Sequence, residues 1–281
     1  MKTIIVTSSK DEASLTIRDV LLANFSFQRN NRNFEKFPTF TLKENSNIGL
    51  ITTERELVNA EHLDSLNADL FIFASKHRSE SGIPALLTHF PGNWTNDALL
   101  GGKPKTLGLA AAGVLKIALR KLKEDMEYKQ LRDYKVSVEA THHGPTTLKS
   151  ATIFIELGSG PNEWRDEKAA GVVAATCLAA ATSEESYPSA LAFGSSHYSP
   201  RFTELIQETE VALSHIVPRH ALNTLEKEMI QQAIEKTVEA IEFFVIDQKG
   251  MTSLQRRKVE GFAKELGYPI KRARKMMKAT K

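Results

Sequence analysis

No disulfide can form within this chain, because Cys177 is the only cysteine among 281 residues. A fold stapled by cross-links is excluded, and a reducing interior suits the chain. Cys177 lies in EKAAGVVAATCLAAA, among small apolar residues, and reads as core filler rather than as a nucleophile. Long apolar runs are missing too. That stretch and TLGLAAAGVLKIALRK are too short or too interrupted for the roughly 20 apolar residues that span a bilayer. The opening MKTIIVTSSKDE reaches acidic residues before a signal-peptide apolar region could form. Internal repeats, low-complexity tracts and Pro/Gly-rich linkers are absent as well. The expectation is a soluble, cytoplasmic protein with no membrane association and no obligate protein partner.

Several catalytic signatures are also lacking. The chain has no G-x-S-x-G elbow, no G-x-x-x-x-G-K-[ST] phosphate loop and no H-E-x-x-H helix. Chemistry through a serine or cysteine nucleophile therefore has little support.

What is present is ordinary in amount and uneven in placement. At 41% hydrophobic and 25% charged residues, the composition belongs to a globular chain long enough to bury a substantial core. The net charge of +3 hides an asymmetry. Residues 255–281 hold ten Lys/Arg against two Glu, leaving 27 basic and 32 acidic residues elsewhere. A basic tail on an acidic body suggests a polyanion, nucleic acid first, with a solvated C-terminal helix as the alternative.

Strand and helix patterns alternate along most of the chain. Thr3 to Thr7 reads as a strand, followed by a helix whose start carries Ser9 and Glu12 as a capping box. FPTFTLK, NIGLIT, DLFIFAS, PALLTHF, KVSVEAT, ATIFIEL, SALAFGS and IEFFVID are short runs with strand composition. Residues 104–124 place Leu107, Ala111, Val114, Ala118 and Leu122 on one helical face, with Lys116, Arg120 and Lys123 elsewhere. EWRDEKAAGVVAATCLAAA, FTELIQETEVALS and LEKEMIQQAIEKTVEAIE are further helical patterns, and the tail reads as helical from Ser253. The class is α/β, with a mixed, largely parallel sheet flanked by helices. The simplest organisation is a catalytic domain over 1–254, with a hairpin near residues 28–52, and a basic helical appendage over 255–281.

Polar chemistry gathers where these strands end. FIFAS runs into Lys76, His77 and Arg78; PALLT into His89 and PGNW. VSVEAT runs into His142 and His143, IFIE carries Glu156 into LGSGPNEW, and LAFGSS runs into His197 and Tyr198. One strand-end histidine is most often a hydrogen-bonded structural residue. Five such ends meeting in the crevice beyond the strand termini of an open α/β sheet would make a site. Adjacent His142 and His143 can both enter it only where the strand has stopped, and Gly144-Pro145 provides the stop. His62, His215 and His220 sit in plainer contexts and read as structural. Histidines with carboxylates and no nucleophile motif favour metal-assisted or general-base hydrolysis. Zinc suits such donors, with a position left open for water.

Taken together, SKHRSESG, LTHFPGNW, VEATHHGPT, ELGSGPNEW and GSSHYSPRF resemble the archaeal and plant type of D-aminoacyl-tRNA deacylase, from MKTIIVTSSKDEAS to beyond HIVPRHAL. The resemblance implies an esterase that removes D-amino acids from the 3′ end of tRNA, with bound zinc. It also implies a phosphorylase/hydrolase-like fold related to peptidyl-tRNA hydrolase. On that basis Glu139, His142 and His77 are candidates for catalysis, and His89, His143, His197 and Glu156 for metal. Arg78, Asn93, Tyr198 and the backbone at Gly92 and Gly144 are candidates for holding the terminal adenosine or an oxyanion. Lys271, Arg272, Arg274, Lys275 and Lys278 are candidates for tRNA contact. A peptidyl-tRNA hydrolase and a non-enzymatic RNA-binding module stand as alternatives.

Overall fold

The computed structural model describes residues 1–280; Lys281, the last cation of the tail, lies outside the described residues. The first part of the chain runs β1 (Thr3–Ser8), α1 (Glu12–Asn24), β2 (Phe27–Phe34), β3 (Phe37–Leu42), β4 (Asn45–Thr53) and β5 (Leu70–Arg78). Next come β6 (Ala85–His89), β7 (Gly92–Asn93), β8 (Thr106–Leu107), α2 (Ala112–Tyr128), β9 (Lys135–Val138) and β10 (Ala151–Ser159). A short α3 (Pro161–Trp164), α4 (Glu167–Thr182), β11 (Ser189–Ser195), α5 (Pro200–Glu208) and β12 (Ala212–Pro218) follow. The chain closes with α6 (Lys227–Glu235), β13 (Ile241–Ile246), α7 (Ser253–Leu266), β14 (Ile270–Arg272) and α8 (Ala273–Thr280).

These strands make the expected mixed α/β architecture, but in two principal sheets. The larger has the order β2-β3-β4-β1-β5-β10-β6-β9, and the smaller, all parallel, β12-β11-β13-β14. The early hairpin β2–β3 leads into β4, which pairs parallel to β1, so it widens the large sheet.

Side-chain alternation gives the large sheet two unlike faces. Ile5, Ile72, Ala74, Ile153, Ile155 and Leu86 point to one face and are buried beneath α1, α2 and α4. Ile4, Val6, Phe71, Phe73 and Phe154 point to the other, where they form a smaller cluster with Leu57, Leu63 and Leu148. The short 3-10 helices Leu57–Asn59 and Glu61–Leu66 pack on this second face. The same face carries the histidines.

Four local expectations change. Asp11, not Ser9, caps α1, its carboxylate accepting from Ser14 N–H at 3.0 Å. The ALS that ends the FTELIQETEVALS pattern opens β12 rather than continuing a helix, because a buried parallel strand lacks the polar alternation that would mark it. The pattern over 104–124 becomes helical only at Ala112. Within that helix Lys116 is buried, donating to the carbonyls of Ile206 (2.9 Å), Thr209 (2.6 Å) and Val211 (3.1 Å). Its ammonium therefore binds carbonyls at the C-terminal end of α5 that the helix cannot satisfy itself.

The tail is woven into the small sheet. Val259 and Ala263 of α7 are buried in its core, and β14 pairs with β13. Ala273 and Met277 of α8 belong to the main core. The charge boundary at 254/255 thus coincides with no break in packing. Lys271 and Arg272 lie on a strand; Arg274, Lys275 and Lys278 lie on α8, and all five are exposed.

Candidate active site

Strand register assembles the site on the second face of the large sheet, the one carrying Phe73 and Phe154. Across β5, β10 and β6, Phe73 aligns with Phe154 and His89; Ser75 with Glu156 and Leu87; His77 with Gly158 and Ala85. Glu139 follows directly from β9, whose Val138 pairs with Thr88. The site therefore spreads over the sheet face rather than lying beyond the strand termini. The cause is that β6 runs antiparallel to β10, bringing its final residue, His89, back beside Phe154. Gly158 is needed there, since a Cβ at that position would stand 2.6 Å from His77 Cβ and 2.5 Å from its carbonyl oxygen.

The remaining imidazoles arrive from loops. His142 and His143 follow β9, with His143 at φ +48°, and His197 and Tyr198 follow β11 of the small sheet. The ring centroid of His142 is 4.0 Å from that of His89, 4.4 Å from His143 and 4.6 Å from His197. All five strand-end histidines therefore meet, together with Glu139 and Glu156.

Hydrogen bonding fixes how the rings face inward. The Nδ1 atoms of His142 and His143 lie 2.8 Å and 2.7 Å from the carbonyls of Ala140 and Gly144, and that of His89 lies 3.2 Å from Phe90 O. A carbonyl only accepts, so each Nδ1 carries a proton, and His142 and His143 when neutral keep a lone pair on Nε2. Burial, reinforced by the neighbouring imidazoles, holds His142 well below the usual histidine range and His143 at about 3. Both are thus neutral at physiological pH.

The carboxylates face these rings. Glu139 Oε1 is 3.0 Å from His197 Nε2 and 3.8 Å from His77 Nδ1, yet both buried oxygens of Glu139 lack a hydrogen-bond partner. Glu156 lies between His77 (3.4 Å) and His89 (3.5 Å) and accepts from Ser75 Oγ at 2.9 Å. Burial opposes charge on Glu156, but the two imidazoles outweigh it and hold the carboxyl below its ordinary range. Burial likewise opposes charge on His77 and His89, and their contacts with Glu156 and the nearby Glu139 raise both above the usual value. His77 Nε2 is also hydrogen-bonded to Tyr198 Oη at 2.8 Å.

Three donor sets have ligand atoms within 4.8 Å of one another: His89/His142/His143, Glu139/His142/His197 and His77/Glu139/Glu156. His142 and Glu139 each belong to two of them. Neutral imidazoles tied through Nδ1 to carbonyls, beside an orphaned buried carboxylate, are groups that could hold a metal ion.

Two clefts open onto the cluster. The larger, about 330 Å³, has His142, His143 and His197 in its wall, with Trp94, Asp97, Leu99 and Leu100 among its other lining residues. The smaller, about 170 Å³, exposes His143 and Glu156 beside Ser75, Lys76 and Asp11.

Other sequence candidates fare differently. Asn93 lines the larger cleft, but its amide already donates to Gly101 O (2.9 Å) and Lys103 O (3.1 Å). Gly92 N–H donates to His143 O at 2.7 Å and Gly144 N–H to Leu100 O at 3.2 Å, so neither backbone group is free for an oxyanion. Arg78 is exposed and lines neither cleft, because it follows His77 on the strand and points away. His62 pairs with Glu35 at 3.0 Å, and His215 is held by Gly108 O and Lys236 O, both apart from the cluster. His220 was expected to be structural, yet it lines the larger cleft. Ser75 and Asp11 were missed. Period-two spacing from His77 could have flagged Ser75; Asp11, whose carboxylate accepts from Lys76 N–H at 2.8 Å, carries no comparable signal.

Residues 64–271 match the family model described as D-aminoacyl-tRNA deacylase. The D-aminoacyl-tRNA deacylase of Thermococcus onnurineus is 35% identical over 94% of this chain and 97% of its own length. The corresponding protein of Pyrococcus furiosus is 34% identical over the same shares. The crystal structure of the conserved protein AF0625, of unknown function, superposes with a TM-score of 0.89 at 28% identity, covering 98% of this chain and 96% of its own. Through the family model and relatives alike over nearly their whole length, the chain belongs to the D-aminoacyl-tRNA deacylase family.

Proposed function

We propose that this protein hydrolyses the ester joining a D-amino acid to the 3′ end of tRNA, releasing both. The observation that carries the reading is the convergence of five histidines and two buried carboxylates at one face of the large sheet, without a nucleophile motif. Family membership supplies the substrate class. A cytoplasmic location fits a tRNA substrate.

Zinc is the cofactor the residues suit. The orphaned oxygens of Glu139 and the Nε2 lone pairs of the neutral His142 and His143 are donors suited to a cation. When bound, zinc would supply Lewis-acid polarisation and a water acidified towards neutrality. His142 and Glu139, read from the sequence as catalytic, are each common to two donor sets, so we assign them to the metal with His89, His143 and His197. Glu156 orients His77 and His89. That leaves His77 as the residue that moves a proton: its two carboxylate neighbours raise it above the usual histidine range against its burial, and it is linked through Tyr198 Oη to the protein surface.

The tail presents Lys271, Arg272, Arg274, Lys275 and Lys278 without a salt bridge among the described residues. Arg272 and Arg274 join Arg201 and Lys249 around a small cleft of about 110 Å³. We assign this face to tRNA phosphates. L-aminoacyl-tRNA is rejected by steric exclusion, because a small loss of apolar contact discriminates only weakly.

The test is hydrolysis of D-Tyr-tRNA against L-Tyr-tRNA, with elemental analysis of the same protein. Much faster release of D-Tyr, and zinc in the parent but depleted in Glu139→Gln, is the expected result. Equal rates would overturn the substrate assignment. Zinc-free protein at full activity would leave general-base catalysis in its place.

A further inference from the structure

The loop at residues 95–103 is tied down along its length. Asn93 holds the carbonyls of Gly101 and Lys103, and Lys103 N–H donates to Thr146 Oγ1 at 2.8 Å. Leu100 O accepts from Gly144 N–H, and Leu99 N–H donates to Asp97 Oδ1 at 3.1 Å. Gly101 and Gly102 adopt φ of +86° and +75°, and a Cβ there would meet Val58 O at 2.4 Å and Thr146 Cγ2 at 2.6 Å. Only glycine can hold this path.

A loop so fixed nevertheless leaves Leu99 91% and Leu100 66% exposed. The two are consecutive, and both line the larger cleft that His142, His143 and His197 close from within. Apolar side chains held in water forfeit hydrophobic stabilisation, and a contiguous pair at a cleft mouth marks a ligand-binding edge. Trp94 lines the same cleft, and its indole N–H is buried without an acceptor among the described residues. Thr95, Asp97 and His220 add a polar margin. The ligand these features fit has an apolar face and hydrogen-bonding edges. The cleft volume is at the lower end of the range for small-molecule sites.

We infer that Leu99 and Leu100 form the platform on which the terminal nucleoside of aminoacyl-tRNA rests, directing its ester towards the imidazoles. This rests on the deacylase reading. The platform replaces Arg78, Gly92 and Gly144 as the holder of the terminal nucleoside, and the fixed loop makes it preformed.

The test uses the full-length Leu99→Ser/Leu100→Ser variant, with Leu254→Ser, 70% exposed elsewhere, as control. Adenosine 5′-monophosphate is titrated against tryptophan emission, and KM and kcat are measured on D-Tyr-tRNA. The expected result is AMP binding to the parent in competition with D-Tyr-tRNA. In the double variant AMP affinity should fall, and KM should rise, by about tenfold or more, with Tm and the control unchanged. Parental KM and AMP affinity in the double variant would overturn the platform. So would a changed oligomeric state with AMP binding intact, which would assign the leucines to a protein partner. A parent that binds AMP through these leucines but releases no D-Tyr would leave the platform standing and refute the deacylase reading alone.

Discussion

Gly158→Ala is the smallest change that should separate activity from folding in this protein. The added Cβ would lie 2.6 Å from His77 Cβ and 2.5 Å from His77 O, where ordinary contact needs nearly 1 Å more. The strand at His77 has little room to yield. Its carbonyl accepts from Trp164 Nε1 at 2.8 Å, and its ring is held by Glu156 and Tyr198. Overpacking of this kind costs about 1–3 kcal/mol. That corresponds to a fall in Tm of roughly 2–10 °C for a chain of this size. The effect on catalysis should be larger, because misplacing a catalytic group by about 1 Å can cost on the order of a hundredfold. Steady-state kinetics on D-Tyr-tRNA beside a thermal melt measures both. A variant with parental kcat/KM and Tm would refute the claim that Gly158 is required for His77 to stand where it does.

Lys116→Met should remove the donor from three carbonyls, costing about 2–4 kcal/mol and lowering Tm by roughly 5–10 °C, while activity per folded molecule persists; an unchanged melt would contradict the capping role. Burial holds His215 at about 4 against an ordinary value near 6.5. Between those values the unfolded chain binds the extra proton, so stability falls as pH is lowered, by about 1.4 kcal/mol per pH unit. His77 and His89, whose values are raised, act with the opposite sign, their stabilisation fading as pH rises through their folded values. Urea midpoints at pH 7 and pH 5 should therefore differ less in His215→Gln than in the parent; an equal difference would remove His215 from the pH response. Replacing Lys271, Arg272, Arg274, Lys275 and Lys278 with Gln should raise KM for charged tRNA at nearly unchanged kcat. Each lost phosphate contact should flatten the logarithmic salt slope by about 0.7–0.9, and a parental slope would place tRNA on another surface.

How much of this was legible beforehand differs from element to element. LFIFASKH and ATIFIEL announce buried strands, and alternation along each puts His77 on the face of Ser75 and Glu156 on the face of Phe154; the register of the folded sheet makes these one face. The gathering of histidines and carboxylates where apolar runs end is what made the site readable in the sequence. The antiparallel course of β6 was not readable, since register across distant strands leaves no mark in either segment alone. Nor could the sequence reveal that Gly92 and Gly144 already spend their N–H groups, because hydrogen-bond partners exist only in the folded chain. Lys116 misleads for another reason: a cation in an amphipathic pattern is usually solvated, and only the carbonyls at the end of α5 make its burial tolerable. The strand at Ile270–Arg272 hid inside a run of charges, as edge strands can.

The claim that the histidine face of the large sheet is where the ester is cut is tested most directly by comparing two histidines. His142 stands in the centre of the cluster, whereas His62 pairs with Glu35 and Thr53 outside it. Single-turnover deacylation of D-Tyr-tRNA should slow by on the order of a hundredfold or more in His142→Ala. It should stay within about twofold of the parent in His62→Ala. The reverse ranking, or equal rates in both, would show that the reaction takes place elsewhere on the molecule.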